Sequence, residues 1–178
     1  MISFNCIGDL SNTNNVLETV STWGTDDKIM TRDPFLKFAT FNGVKFVGGL
    51  TNHDQLSMSL GYMIYYTGAP GAVLEQTGLP QLPEPHVTLS RGWNCIGHAP
   101  LRAYPIDKIA SVVGSPQFST DDQIKTRAGS DLRIATYTGG SPAIWAGNMD
   151  ELVPGIGYEV KVAKALSFCY GTSCNVVF

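Results

Sequence analysis

At 178 residues the chain is long enough for one ordinary domain or two small ones, and only 15% of it is charged, against roughly 25% in an average soluble domain. The net charge is −3 with no run of Lys or Arg, which argues against direct nucleic-acid binding, because neutralising phosphates takes clustered basic side chains. No stretch reaches the roughly 18 consecutive apolar residues of a membrane span, and the start at Met1 resembles neither a signal peptide nor an Arg- and Ser-rich transit peptide. The sequence therefore predicts a chain without a membrane span that works in an intracellular assembly or a virion, with a weakly charged surface that favours association.

The elements follow in order. An apolar strand is predicted over Ile2 to Ile7, then a helix capped by Asn14 or Asn15 that carries Val16, Leu17 and Val20 and ends at Gly24. Asp26-Asp27 open a strand with Ile29, and a second strand ends at Ala39-Thr40-Phe41. A turn at Gly43 leads to Val44–Val47. A polar loop or single helical turn follows with Leu56, and Gly61-Tyr62 starts a last pair of strands, Tyr62–Tyr66 and Ala72–Leu74. Pro80, Pro83 and Pro85 then force an extended, semi-rigid connector.

Beyond it the pattern restarts, with a strand over Gly92 to Ile96. Pro105 stands at a first helical position before Ile106, Ile109, Val112 and Val113, and Gly114 ends that helix. Asp121-Asp122 precede a strand with Ile124, and another ends at Ala135-Thr136-Tyr137. A strand at Ala143–Trp145, a loop with Leu152, and strands Tyr158–Val162 and Ala165–Cys169 complete the chain.

This restart is an internal repeat. Phe4-Asn5-Cys6-Ile7-Gly8 matches Trp93-Asn94-Cys95-Ile96-Gly97. Thr25 to Arg32 matches Thr120 to Arg127 at every position except Lys28/Gln123 and Met30/Lys125. Ala39-Thr40-Phe41-Asn42-Gly43 matches Ala135-Thr136-Tyr137-Thr138-Gly139, and Leu60-Gly61-Tyr62 matches Ile156-Gly157-Tyr158. The order is kept throughout, which coincidence would not do. The sequence thus predicts a β-rich α+β chain of two tandem homologous modules, 1–77 and 91–178, joined by a Pro-rich linker, 78–90. Each is an antiparallel sheet of about five or six strands with one short helix, and the two are related by a pseudo-two-fold axis.

The second half carries Gly92-Trp93-Asn94-Cys95-Ile96-Gly97, Asp122-Gln123-Ile124-Lys125, Ile134-Ala135-Thr136-Tyr137 and Leu152-Val153-Pro154-Gly155-Ile156-Gly157-Tyr158-Glu159-Val160-Lys161-Val162. These resemble the Gly-Trp-Asn to Gly-x-Gly-Tyr repeat module of bacterial surface proteins and of algal and viral structural proteins. The first half departs from the pattern at Phe4, at Met58-Ser59 and at Tyr65-Tyr66. The resemblance implies structural or adhesive work and supplies no catalytic residues. The function it points to is a non-enzymatic subunit of a protein shell or particle, with a virion capsid, decoration or tail component first. A pyrenoid-shell-like lattice in the chloroplast and a carbohydrate-binding or adhesive module are the alternatives. The expected partner is protein, in a homo- or hetero-oligomeric assembly, with glycan as the rival and no cofactor.

Individual residues agree with that direction. His53, His86 and His98 stand at no metal-ligand spacing, and a Cys95–His98 nucleophile pair is outweighed by an inert buried thiol. The Asp-Asp pairs lack the spaced oxygens of a calcium loop and are expected to end turns and pair with Arg32 and Arg127. Gly43 to Gly49 and Gly139 to Gly147 lack the Lys-Ser/Thr of a phosphate loop. Cys169 and Cys174 flank a Tyr-Gly-Thr-Ser turn that permits a bridge, although the absence of a secretory signal favours reduced thiols. The residues expected to hold the repeat together are Asn5, Gly8, Asp27, Gly61, Tyr62, Trp93, Asn94, Gly97, Asp122, Gly157 and Tyr158. The aromatics without a clear counterpart in the other half are Trp23, Phe35, Phe38, Tyr65, Tyr66, Phe118 and Tyr170, and of these Trp23, Phe35, Tyr65, Tyr66, Phe118 and Tyr170 are the candidate interface.

Overall fold

The computed structural model describes residues 2, 6–7, 13–33, 35–51, 56–57, 59–69, 72–75, 79–80, 86–98, 100–111, 116–128 and 130–170. Asn5, Gly8, His53 and Cys174 lie outside these residues, as do Phe4, Met58, Pro83, Pro85, Val112, Val113 and Gly114.

The chain is β-rich, with several antiparallel sheets and, among the described residues, one short α-helix. In the first half come β1 (Cys6–Ile7), α1 (Thr13–Leu17), β2 (Lys28–Asp33), β3 (Phe35–Phe41), β4 (Phe46–Gly48) and β5 (Met63–Tyr65). Then follow β6 (Leu79–Pro80), β7 (His86–Leu89), β8 (Gly92–Gly97), β9 (Tyr104–Pro105) and β10 (Ala110–Ser111). The rest is β11 (Gln123–Ala128), β12 (Asp131–Tyr137), β13 (Trp145–Gly147), β14 (Glu151–Leu152), β15 (Gly157–Val162) and β16 (Leu166–Cys169). One sheet has the order β4-β3-β2-β5 and another the order β13-β12-β11-β15-β8.

Alternation decides which face is buried. In the first sheet Ile29, Thr31, Ala39 and Phe46 point inward and join Val16, Leu17, Leu50, Leu56 and Tyr62 in one hydrophobic cluster. In the second, Ile96, Ile124, Ala135, Tyr158, Val160 and Val162 point inward and pack with Val87, Leu89, Leu152, Leu166 and Phe168 in a separate cluster. The halves meet through backbone. Leu60 bridges Ile96, Ile2 bridges both Tyr62 and Ile156, and the Gly97 N–H donates to the Ser59 carbonyl at 2.9 Å.

The helices are shorter than their apolar spacing predicts. Helix α1 already includes Thr13 and Asn14 and stops at Leu17, so Asn14 does not cap it. The Asn14 side chain instead takes up the backbone of Phe46, accepting its N–H at 2.6 Å and donating to its carbonyl at 3.2 Å. The helix expected after Pro105 is a single 3-10 turn, Ile106–Lys108, set between β9 and β10. Ile106 and Ile109 are buried, the first within that turn and the second just after it, between two short strands.

Two further expectations change. Residues 72–75 form no strand, and β16 pairs with β7 and β10 rather than returning along β15. Since β7 lies within 78–90, the C-terminal part of the predicted linker is sheet-paired, with Val87 opposite Phe168 and Leu89 opposite Leu166. The match of Phe4–Gly8 to Trp93–Gly97 is also not kept in register. Ile96 stands opposite Tyr158, but Ile2 rather than Ile7 stands opposite Tyr62, and Ile7 pairs with Leu79.

Candidate functional site

The Asp-Asp pairs are the most repeated structural feature. Asp26 and Asp121 adopt φ of 74° and 69°, a left-handed conformation that Asp tolerates better than most side chains. That turn aims the next carboxylate inward. Asp27 accepts the N–H groups of Gly24 at 2.8 Å and Thr67 at 2.9 Å, plus the Thr67 hydroxyl at 2.8 Å. Asp122 accepts the N–H groups of Ser119 and Ala163, each at 2.8 Å. Both carboxylates are buried and, among the described residues, neither pairs with Arg32 or Arg127 as the sequence suggested. A buried charge is satisfied here by backbone donors because a surface arginine could not follow it inward.

The Gly-Tyr positions repeat the same economy of bonds. Thr31 Oγ1 donates to the Gly61 carbonyl and Thr126 Oγ1 to the Gly157 carbonyl, both at 2.7 Å. The Tyr62 hydroxyl accepts the Ser57 N–H at 2.7 Å, and the Tyr158 hydroxyl accepts the Val153 N–H at 2.6 Å. Burial pushes the Tyr158 phenol up to about 12 from an ordinary value of 10. A pKa raised on folding leaves stability intact below the unfolded value and removes it as pH climbs through the folded one. Urea midpoints are therefore expected to fall between pH 10 and 12, and Tyr158→Phe to flatten that fall. A pH profile unchanged by Tyr158→Phe would contradict the burial of this hydroxyl.

Asn94 closes its own local loop, accepting the Ser90 N–H at 2.9 Å and donating to the Ser90 carbonyl at 2.8 Å. Gly97 lies at the end of β8, and Trp93 lies on its outer side beneath the Lys125 ammonium, 4.2 Å from the ring centre. Cys95 is a free, buried thiol whose pKa burial raises, which disfavours the thiolate a nucleophile needs. His98 is fully buried, its Nε2 2.8 Å from the Arg102 carbonyl and its ring edge-on to Tyr170. Cys169 is disulfide-bonded, which corrects the expectation of reduced thiols; its partner lies outside the residues whose side chains are described.

The six candidate interface aromatics divide. Phe118 and Tyr170 are buried in the second cluster, and the Tyr170 hydroxyl donates to the Gly97 carbonyl at 3.2 Å. Trp23 is half-buried against Phe46 and Tyr66, with its indole N–H donating to the Leu17 carbonyl at 2.8 Å. Tyr66 is held by that ring and by the Thr22 hydroxyl. Phe35 and Tyr65 remain exposed, at 77% and 59%.

Tyr65 belongs to a larger surface. The outer face of the first sheet aligns Met30 with Phe38 and Met63, Arg32 with Leu36, Thr40 with Val47, and Lys28 with Tyr65. Phe38 is 49% exposed and Leu36 51%, so this face is open and largely apolar. The same face of the second sheet carries Lys125, Glu159, Gln123 and Lys161 together with Ile134, Leu132 and Trp93, and Lys125 and Glu159 pair there at 3.2 Å. Sequence reading singled out Phe38 and Tyr65 on this face but missed Met30, Leu36, Val47 and Met63. The signal was present in Met30 standing where the second half has Lys125, one of only two differences in the matched octet.

A recess of about 200 Å³ lies on the second half, lined by Arg127, Asp131, Arg133, Glu151 and Tyr158 among others. Arg133 donates to Asp131 at 3.2 Å there, a local exposed pair. Among the described residues no three His, Cys, Asp or Glu side chains converge as a metal would require, and no helix is long and apolar enough to cross a membrane. No family model matches the chain, and neither a curated protein nor a solved structure matches it.

Proposed function

We propose that the chain is a non-enzymatic structural subunit of a larger protein shell or particle, docking through the outer face of its first sheet. In this reading the halves are diverged copies of one module related by a pseudo-two-fold axis. The recurring bonds of Asp27 and Asp122, of Thr31 and Thr126, and of Tyr62 and Tyr158 support the duplication. The observation that carries the function is the difference between the two outer faces: where the second has the charged Lys125, Glu159 and Lys161 beside Ile134 and Leu132, the first has Met30, Met63 and Tyr65, so it keeps Lys28 and Arg32 but is the more apolar of the two. A solvated sheet face does not need Met30, Leu36, Phe38 and Val47, whereas a covered one gains roughly 1.5–3 kcal/mol from each large side chain it buries. Low overall charge keeps repulsion between neighbours small. The resemblance to viral and algal structural modules is compatible with a virion component, the first reading, and with a pyrenoid-type lattice as its alternative.

Mass photometry and sedimentation velocity across a concentration series test this. The wild-type chain is expected to form oligomers or larger particles. Phe38→Lys is expected to weaken assembly tenfold or more while leaving the melting temperature nearly unchanged, since the ring is already half in water. A wild-type chain that stays monomeric at high concentration overturns the reading.

A further inference from the structure

Strand β5 lies at the edge of its sheet, and the pattern of backbone bonds shows which groups it presents there. Ile2 and Tyr62 exchange two hydrogen bonds, each 2.9 Å, on the side of Tyr62 away from β2. Because antiparallel strands alternate inward and outward bonding groups, the N–H and C=O of Ile64 face the same way, and the alternation carried one residue past the end of β5 turns those of Tyr66 there too. Among the described residues nothing is bonded to either pair. In the second sheet the corresponding edge is covered, since β8 runs along β15 with Asn94 opposite Val160 and Trp93 opposite Lys161.

The other edges differ. On β4 the Asn14 amide holds both backbone groups of Phe46, and on β8 Leu60 bridges Ile96. Natural edge strands are commonly guarded by charge, bulges or proline. Strand β15 keeps Glu159 and Lys161 although it is already covered, whereas β5 reads Met63-Ile64-Tyr65 with no charge at all.

We infer that the open edge of β5 pairs with β5 of a second copy of this chain, antiparallel about a two-fold axis with Tyr65 opposite Tyr65. Resting on the assembly reading above, this names its first contact. A strand that satisfies Ile64 must itself have an open, uncharged edge, and β5 meets its own requirement, as an isologous contact demands. The register follows from what is already occupied. Centring on Ile64 would set Tyr66 against Tyr62, whose bonds Ile2 holds. Centring on Tyr65 sets Ile64 against Tyr66 in both directions, and the partner strand then turns away at Thr67, whose N–H is tied to Asp27. Lys28 is one strand further in from Tyr65, so the two copies of Lys28 are three strand spacings apart, roughly 14 Å, beyond the ~8 Å screening length at physiological salt. The union joins two four-stranded sheets and makes their apolar outer faces continuous.

Cysteine cross-linking reads the register directly. Residues facing each other in a non-hydrogen-bonded antiparallel pair have Cα atoms about 4.5 Å apart, within disulfide reach. Tyr65→Cys is expected to give a covalent dimer on mild oxidation, well above the wild-type background, while Met63→Cys, about four residues out of register with itself, gives none. Ile64→Pro removes the outward N–H, at some cost in packing because Ile64 also lies against the first hydrophobic cluster, and in a variant whose melting transition shows it folded it is expected to weaken dimerisation at least tenfold. A wild-type chain that self-associates and loses this with Phe38→Lys, yet shows no Tyr65→Cys cross-link and full association in Ile64→Pro, overturns the edge contact alone. A wild-type monomer overturns both proposals.

Discussion

The Gly157→Ala variant is expected to lose at least about 3 kcal/mol of stability, or to fail to fold, seen as a collapse of the urea midpoint. A Cβ at Gly157 would run into the Ile2 carbonyl, with the Gly61 Cα at 3.1 Å on the same side. Both obstacles are backbone. Ile2 is pinned by its two bonds to Tyr62, and Gly157 is pinned opposite Gly97 in the second sheet, so neither can yield cheaply. Gly61→Ala meets the Ile96 carbonyl in the same manner and is expected to behave alike. The control is Gly92→Ala, where φ is 98° but nothing lies within 4 Å of the added methyl. Its cost is conformational only, about 1–2 kcal/mol. Should Gly157→Ala melt like Gly92→Ala, the close approach between the halves is wrong.

Removing the Asp122 carboxylate comes second. Asp122→Ala is expected to cost about 3 kcal/mol, because it deletes two hydrogen bonds to a charged acceptor and strands the Ser119 and Ala163 donors in a buried site. Those donors lie on different segments, so the loss loosens the entry to β11 and the exit of β15 together. Asp122→Asn retains one acceptor oxygen and should recover part of the loss. Its neighbour Asp121 is exposed and serves through its left-handed backbone, so Asp121→Gly should be close to neutral or slightly stabilising. Chemical denaturation of the three variants orders them, and an Asp121→Gly chain less stable than Asp122→Ala would reverse the roles given to the pair.

The sheets were legible in the sequence because alternation and the collinear repeat point the same way. The octet from Thr25 and its counterpart from Thr120 place β2 and β11 close to where they lie, and Ala39 and Ala135 end up buried in the strands predicted for them. The helices were not legible. Ile106 and Ile109 carry a helical spacing that a 3-10 turn and two short strands satisfy equally well, and only tertiary pairing with Glu151 and Leu152 decides between them. Asn14 shows the same limit: its amide suits a helix cap, yet the exposed backbone of Phe46 offered it two bonds instead of one. Among the interface aromatics, absence from the other half did not distinguish core from surface. Tyr170 accompanies the β7-β16-β10 sheet, which has no counterpart in the first half among the described residues, whereas Phe118 stands where Trp23 does, one residue before the N–H that each buried carboxylate accepts. What did mark the open face was substitution within a matched strand, Met30 for Lys125 and Met63 for Glu159.

The double bridge of Ile2, to Tyr62 and to Ile156, has a consequence for how the chain is made. A ribosome delivers Ile2 well before Ile156, with β15 and β16 still to follow, and at roughly 5–20 residues per second the two are separated by about 8 to 30 s. The hairpin of β2 and β3 can close within microseconds of emerging, and β5 soon after. The seam along Gly157 has to wait for nearly the whole polypeptide. Once β5 has emerged, the nascent first half stands with Ile2 lacking Ile156 and with its apolar edge and face already formed. Neighbouring ribosomes on one message would hold such halves close together, so for this protein the timing of translation bears on whether the first strand to reach an open edge comes from the same chain or from the next.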